Sequence, residues 1–224
     1  MSIFLQALFF KSKITTWIMA VLFFGMMQHG AASDFAKYTQ IGDNIAHPWG
    51  MDYLNDQMML VTGREDGLFS INMTDDTTRQ IGGLPRDVMV GGQGGWLDIL
   101  VDSRQNQHNR IYLCYSRQGQ NPRTASTAVL TGIINQDQLE QIDMIFTANN
   151  PSKARNHYGC RLALIKDHLY VSVGDRTQRD LAQDVAAHAG SVIEIDLPVD
   201  SAFRPDLPSR VFSKGHRNPQ GMIY

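Results

Sequence analysis

The chain has 224 residues, a formal net charge of −2 and a hydrophobic fraction of 43%. Nucleic-acid-binding proteins usually carry a basic surface and a high isoelectric point, so this near-neutral balance argues against that class. The hydrophobic fraction is sufficient for a folded core and excludes a disordered composition.

The first segment has the organisation of a secretory signal peptide. Lys11 and Lys13 precede an apolar run over residues 14–27, and small residues follow as far as Ala32. Because a membrane-spanning helix needs roughly 20 apolar residues, we predict cleavage after Ala32 and a periplasmic or secreted mature chain. An uncleaved membrane anchor is the alternative. No second apolar segment follows, so we predict no stable membrane insertion of the mature chain.

Residues 33–224 read as one domain of short β-rich segments separated by turn-forming residues. The predicted strands, in chain order, are 58–63, 67–72, 96–101, 110–116, 126–134, 142–148, 161–165, 168–174, 191–196, 210–215 and 220–224. One short segment, 179–188, resembles a helix. Regularly spaced short strands predict an all-β sandwich, barrel or propeller, and they argue against an α/β nucleotide-binding domain.

A faint repeat favours the propeller. Residues 58–71 and 168–178 both contain an apolar strand followed by glycine and a pair of charged residues. Since a blade takes about 40–45 residues in the best-known repeat families, the chain after the signal peptide predicts about four blades. The last residues, 221–224, resemble the start of an unfinished sheet, so we expect the chain to be C-terminally incomplete.

The two cysteines, Cys114 and Cys160, allow a disulfide in an exported protein. Cys114 lies in the middle of the strand-like sequence IYLCYS. We therefore predict that both cysteines are buried free thiols, with a disulfide as the alternative.

Four glycine-containing segments place polar residues at the ends of predicted strands. They are GGQGGW (91–96), NHYGCR (156–161), VGDR (173–176) and GHRNPQG (215–221). The first lacks the spacing of a phosphate-binding loop. The last concentrates several polar side chains between two glycines, and ordering such a loop is costly unless it binds something. We therefore interpret residues 215–221 as a functional loop.

In this order, the motifs resemble the soluble PQQ-dependent aldose sugar and glucose dehydrogenases. The resemblance extends over residues 40–224, with GQGG, HYGCR, VGDR and GHRNPQG as its most specific part. It implies a six-bladed β-propeller that binds pyrroloquinoline quinone (PQQ) and calcium in a cleft on the propeller axis. One departure is Cys160, which stands where the family usually has glycine.

The resemblance also implies catalytic roles. His157 would act as the general base that removes the O1 proton while the C1 hydride passes to the quinone, and Asp175 would hold this histidine. Arg217 would stabilise the negative charge that develops on the quinone oxygen, as electrostatic catalysis requires.

Three further residues would line the cofactor and the sugar. Asn218 would donate a hydrogen bond to the quinone, and Gln93 would contact both the cofactor and the substrate. Asn156 stands where some relatives have a carboxylate that contacts the sugar. The resemblance identifies no metal ligand in this chain.

The sequence therefore predicts an enzyme that oxidises the anomeric carbon of aldoses to lactones and passes electrons to an unidentified acceptor. A truncated non-catalytic remnant or a carbohydrate-binding propeller is the alternative. A propeller hydrolase acting on sugar lactones would need a cluster of acidic metal ligands, and residues 40–224 show none with suitable spacing.

Overall fold

The computed structural model describes residues 38–104, 109–198 and 205–223. The predicted signal peptide lies outside these ranges. The described residues form twelve β-strands and one short 3-10 helix. The strands are β1 (Pro48–Asn55), β2 (Met58–Gly63), β3 (Gly67–Asn72), β4 (Thr78–Ile81), β5 (Trp96–Val101), β6 (Arg110–Gln118), β7 (Ala125–Asn135), β8 (Gln138–Thr147), β9 (Gly159–Ile165), β10 (His168–Val173), β11 (Ser191–Asp196) and β12 (Ser209–Lys214).

The strands form three four-stranded sheets, β1–β4, β5–β8 and β9–β12, in which sequential strands are neighbours. All the pairings are antiparallel. Such four-stranded meanders are propeller blades, so the all-β prediction is confirmed, and the sheets are named the first, second and third blades. The described residues hold three blades rather than about four. The second blade begins at Trp96 and the third only at Gly159, because long strands and connections make the second blade large.

Two local predictions differ from the structure. In the helix-like segment 179–188, only Arg179–Gln183 forms a 3-10 helix. Its N-cap residue Gln178 makes no capping hydrogen bond, and Asp184 already has extended backbone angles. Residues 220–223, predicted as the start of a strand, have no regular secondary structure. No helix in the described ranges is long and apolar enough to cross a membrane.

Apolar clusters fill both spaces between the blades. Side chains alternate along a strand, so Leu113 and Tyr115 of β6 pack towards the first blade. Tyr112 and Cys114 of the same strand pack towards the third blade. The second blade therefore contributes to both clusters and has no solvent-facing central strand.

This alternation explains a disulfide that the sequence analysis did not predict. Cys114 and Cys160 are joined, with their Cα atoms 5.8 Å apart, and neither is exposed. The prediction of free thiols was wrong because the mid-strand Cys114 faces β9 of the neighbouring blade, where Cys160 lies. The disulfide thus links the second and third blades.

The first strands of the blades, β1, β5 and β9, lie next to one another. The hydroxyl of Thr62, in the strand β2 that pairs with β1, donates to the backbone oxygen of Leu97 in β5. Asp98 of β5 accepts the backbone N–H of Leu162 in β9 at 2.8 Å. Because of this order, the segments that precede β5 and β9 meet at one end of the blades.

Candidate active site

His157 lies two residues before β9 and forms the centre of the site. Its Nδ1 is 2.8 Å from Oδ1 of Asp175, which follows β10. The side chains of His157 and Asp175 are 14% and 2% exposed. An ionised carboxylate here favours the tautomer with hydrogen on Nδ1, so Nε2 keeps its lone pair and can accept a proton.

Gly174 allows this contact. A Cβ at residue 174 would lie 1.9 Å from the backbone oxygen of His157. His157 itself has a left-handed backbone, with φ of 56°. The glycine of the VGDR motif is therefore required by the close approach of the two chain segments.

Replacing Gly174 with alanine is expected to displace the His157 backbone and to lower the free energy of unfolding by roughly 1–3 kcal/mol. Gly221→Ala is the matched control, because a Cβ there meets nothing within 4 Å. Denaturant unfolding of both variants measures the difference. Equal stability of the two would contradict this role for Gly174.

Gln93 lies in a tight turn of the GGQGGW segment, closed by hydrogen bonds between Gly91 and Gly94. Its backbone N–H donates to the Arg155 oxygen at 2.7 Å. Its side-chain Oε1 accepts the backbone N–H of His157 at 2.7 Å. Gln93 therefore fixes the His157 backbone, and its Nε2 forms no hydrogen bond with the described residues.

The GHRNPQG segment is held to the third blade at every residue from 216 to 220. Each residue offers a backbone or side-chain group to a different partner. The contacts are His216 N–H to Gly190 O at 2.8 Å, Asp175 N–H to Arg217 O at 2.8 Å, Gly159 N–H to Asn218 Oδ1 at 3.0 Å, Ser172 Oγ to Pro219 O at 2.7 Å and Arg161 Nε to Gln220 O at 3.0 Å.

This anchoring leaves two functional groups unused. The guanidinium of Arg217 is exposed and forms no ion pair or hydrogen bond within the described part of the chain. Asn218 uses Oδ1 for Gly159, so its Nδ2 remains a potential donor. Because Asp175 contacts both the His157 ring and the Arg217 backbone oxygen, the structure brings the predicted base close to the backbone of the predicted cationic residue.

Arg176 directly follows Asp175 in the chain but contacts other residues. Arg176 is completely buried, and its guanidinium donates to the backbone oxygens of Ala125, Ala154 and Asn156. It also lies 3.5 Å from the centroid of the Tyr158 ring. Burial lowers the pKa of Arg176 to about 10.

The network around Arg176 supports the loop that precedes His157. Asn156 contributes its backbone oxygen, and its half-buried side chain forms no hydrogen bond with any described residue. The side chain of Asn156 is thus available to a ligand. The sequence carried no signal for burial of Arg176, since its partners are backbone oxygens.

Among the described residues, His168, Glu194 and Asp196 place possible metal-ligand atoms within 4.8 Å of one another. They lie around the β9–β10 turn, at the opposite end of β9 from His157. Arg210 already pairs with both carboxylates. Calcium prefers oxygen ligands, so this group does not match a calcium site.

The three four-stranded blades define a β-propeller fold, and the candidate site lies where the segments before β5 and β9 meet. Residues 45–224 match the family model described as Glucose / Sorbosone dehydrogenase, and the chain belongs to this family of PQQ-dependent sugar dehydrogenases. The aldose sugar dehydrogenase YliI of Escherichia coli K12 is 33% identical over 190 residues, which cover 80% of this chain and 51% of that protein. The chain thus spans about half the length of the curated relatives it matches.

Solved structures of aldose sugar dehydrogenases are also similar to this chain. The apo-form of the soluble aldose sugar dehydrogenase from E. coli is 30% identical, with a TM-score of 0.72, over 83% of this chain and 56% of that one. The PQQ-bound aldose sugar dehydrogenase of Streptomyces coelicolor is 22% identical, with a TM-score of 0.67, over 82% and 55%. The second likeness supports the fold alone.

Proposed function

We propose that the protein oxidises aldose sugars at C1 to lactones, with PQQ as the hydride acceptor. The observation that carries this proposal is the His157–Asp175 pair, in which Asp175 also donates its backbone N–H to the oxygen of Arg217. The Arg217 side chain has no partner among the described residues, and a base and a cation held by one residue suit the removal of a proton and a hydride from one carbinol. Family membership and the names of the relatives support the same chemistry.

The residues around Arg217 fit PQQ. The cofactor is an anionic quinone, and when bound it supplies the two-electron acceptor. Arg217 would hold it through charge, and Asn218 would donate from Nδ2 because Oδ1 is already used by Gly159. The Arg217 guanidinium would stabilise the negative charge that develops on the bound quinone.

The proton follows a separate route. His157 Nε2 would accept the proton of the O1 hydroxyl while the C1–H bond breaks and C1 and O1 form a double bond. Asp175 would stabilise the imidazolium through Nδ1. Gln93 and Asn156 would contact sugar hydroxyls with their unused side-chain groups, and this would orient C1.

Calcium is not supported by the same residues. Asp175 is the acidic residue that contacts His157, and its Oδ1 already accepts hydrogen bonds from His157 and Thr177. The described residues around His157 therefore offer no set of free oxygen ligands. The calcium that the family resemblance implies would have to be held by other residues.

The cellular setting forms part of the proposal. A signal peptide over residues 1–32 would deliver the domain at 33–224 to the periplasm or the medium. There an aldose and an unidentified electron acceptor would be its partners.

Reconstitution of the complete protein with PQQ and calcium, followed by a dye-linked assay on a panel of aldoses, tests the function. We expect sugar-dependent dye reduction that requires PQQ. Sugar binding without PQQ binding or turnover would contradict the proposal and favour a carbohydrate-binding propeller.

Replacing Arg217 with alanine is expected to weaken PQQ binding by about tenfold or more, because a charge-assisted contact contributes about 1.5–3 kcal/mol. Fluorescence titration of the apoprotein with PQQ measures the change. Arg79→Ala is the control, since Arg79 is an exposed arginine on β4 that pairs with Asp137. Equal affinities of the two variants would place the cofactor elsewhere.

A further inference from the structure

A buried ion pair connects the second blade to the third close to the functional loop. Asp98 of β5 is 3% exposed. Its Oδ1 accepts Nη1 of Arg161 at 2.8 Å, and its Oδ2 accepts the backbone N–H of Leu162 at 2.8 Å. Burial raises the pKa of Asp98, so a charged carboxylate here is costly unless its partners compensate.

The Arg161 side chain connects this carboxylate to the GHRNPQG segment. Its Nε donates to the backbone oxygen of Gln220 at 3.0 Å. Its backbone N–H donates to Ser172 Oγ at 2.8 Å, and this hydroxyl donates to the Pro219 oxygen at 2.7 Å. One residue therefore reaches two consecutive carbonyls of the functional loop, directly and through Ser172.

We propose that Asp98 and Arg161 are positioning residues that hold the loop carrying Arg217 and Asn218 in its cofactor-binding position. Asp98 orients the planar guanidinium, whose fixed fork directs Nη1 to the carboxylate and Nε to Gln220. Neither residue contacts the His157–Asp175 pair. The proposal rests on the proposed PQQ-dependent function.

A second buried carboxylate, at the end of β5, offers a matched control. Asp102, which directly follows β5, is also buried and pairs with Arg104 at 2.7 Å and with the Tyr112 hydroxyl at 2.8 Å. It contacts no residue of the functional loop. Asp102→Asn therefore removes a comparable buried charge pair without affecting Gln220.

Asp98→Asn in the complete protein puts an amide Nδ2 where Leu162 needs an acceptor, or turns the amide oxygen away from Arg161. We expect the dissociation constant for PQQ to rise about tenfold, the equivalent of one lost charge-assisted contact. The kcat at saturating PQQ should stay near wild type. Asp102→Asn should leave PQQ affinity unchanged.

Arg161→Lys is the second variant for the PQQ-binding measurement, and it replaces Asp98→Asn if that variant does not fold. Lysine keeps a positive charge for Asp98 but lacks the second N–H direction towards Gln220, so we again expect weaker PQQ binding. Amide hydrogen exchange of the apoprotein provides a cofactor-independent measurement. The amides of Gly159 and Asp175, which donate to Asn218 Oδ1 and Arg217 O of the loop, should exchange faster in both variants than in the wild type or Asp102→Asn.

Wild-type PQQ affinity in both Asp98→Asn and Arg161→Lys would overturn the proposal, as would equal weakening by Asp102→Asn. If the wild type binds no PQQ, the proposed function fails. In that case faster exchange of the Gly159 and Asp175 amides in the two variants, but not in Asp102→Asn, still supports the positioning role. Unchanged exchange of these amides overturns it.

Discussion

Replacing His157 with alanine is expected to lower kcat for aldose oxidation by about 10²–10⁴-fold, because the variant loses the proposed general base. PQQ affinity should change little, since Arg217 and Asn218 are anchored through their own contacts. Dye-linked turnover at saturating sugar and PQQ measures the effect.

His47 provides the control for this experiment. It directly precedes β1, has a left-handed φ of 48° and lies 3.7 Å from Glu65. It therefore resembles His157 in backbone geometry and in having a carboxylate neighbour. His47→Ala should retain turnover, whereas near wild-type turnover of His157→Ala would show that His157 is structural.

Breaking the disulfide between Cys114 and Cys160 is expected to lower the free energy of unfolding by about 4 kcal/mol in the chain-entropy model. The reason is that the bond closes a long loop, with a sequence separation of 46 residues. Denaturant unfolding with and without a reductant measures the loss.

The double variant Cys114→Ser/Cys160→Ser should show this loss and no response to reductant. Cys160→Gly separates the effect of the bond from that of backbone strain, because Cys160 has a φ of 70° and glycine adopts this conformation easily. We expect this variant to be more stable than the double serine variant. Wild-type stability that is independent of reductant would contradict a stabilising disulfide.

Strands with continuous apolar or β-branched runs between turn residues could be predicted well from sequence. β2, β3, β5 and β11 have the predicted bounds. β1 was missed because it contains Pro48 and Gly50 and alternates between exposed and buried residues. β4 was missed because it has four residues, of which only Ile81 is buried.

The candidate site residues could be chosen from the sequence, but their contacts could not. Motif order indicated His157, Asp175 and Arg217, and the structure places the His157 ring and the Arg217 backbone oxygen against Asp175. The motif order did not indicate that Gln93 Oε1 would accept the backbone N–H of His157. Nor did it indicate the pairing of Cys114, because that depends on which neighbouring blade the side chain faces.

The double use of Asp175 has a consequence for protein engineering. Its side chain orients His157, and its backbone N–H holds the Arg217 oxygen. In the proposed function, the proton acceptor and the cationic residue therefore share one anchor, and a shift of Asp175 is expected to move both. Selection for a new sugar is then expected to act on Asn156, whose side chain forms no hydrogen bond with the described residues, rather than on Gln93, whose Oε1 holds the His157 backbone.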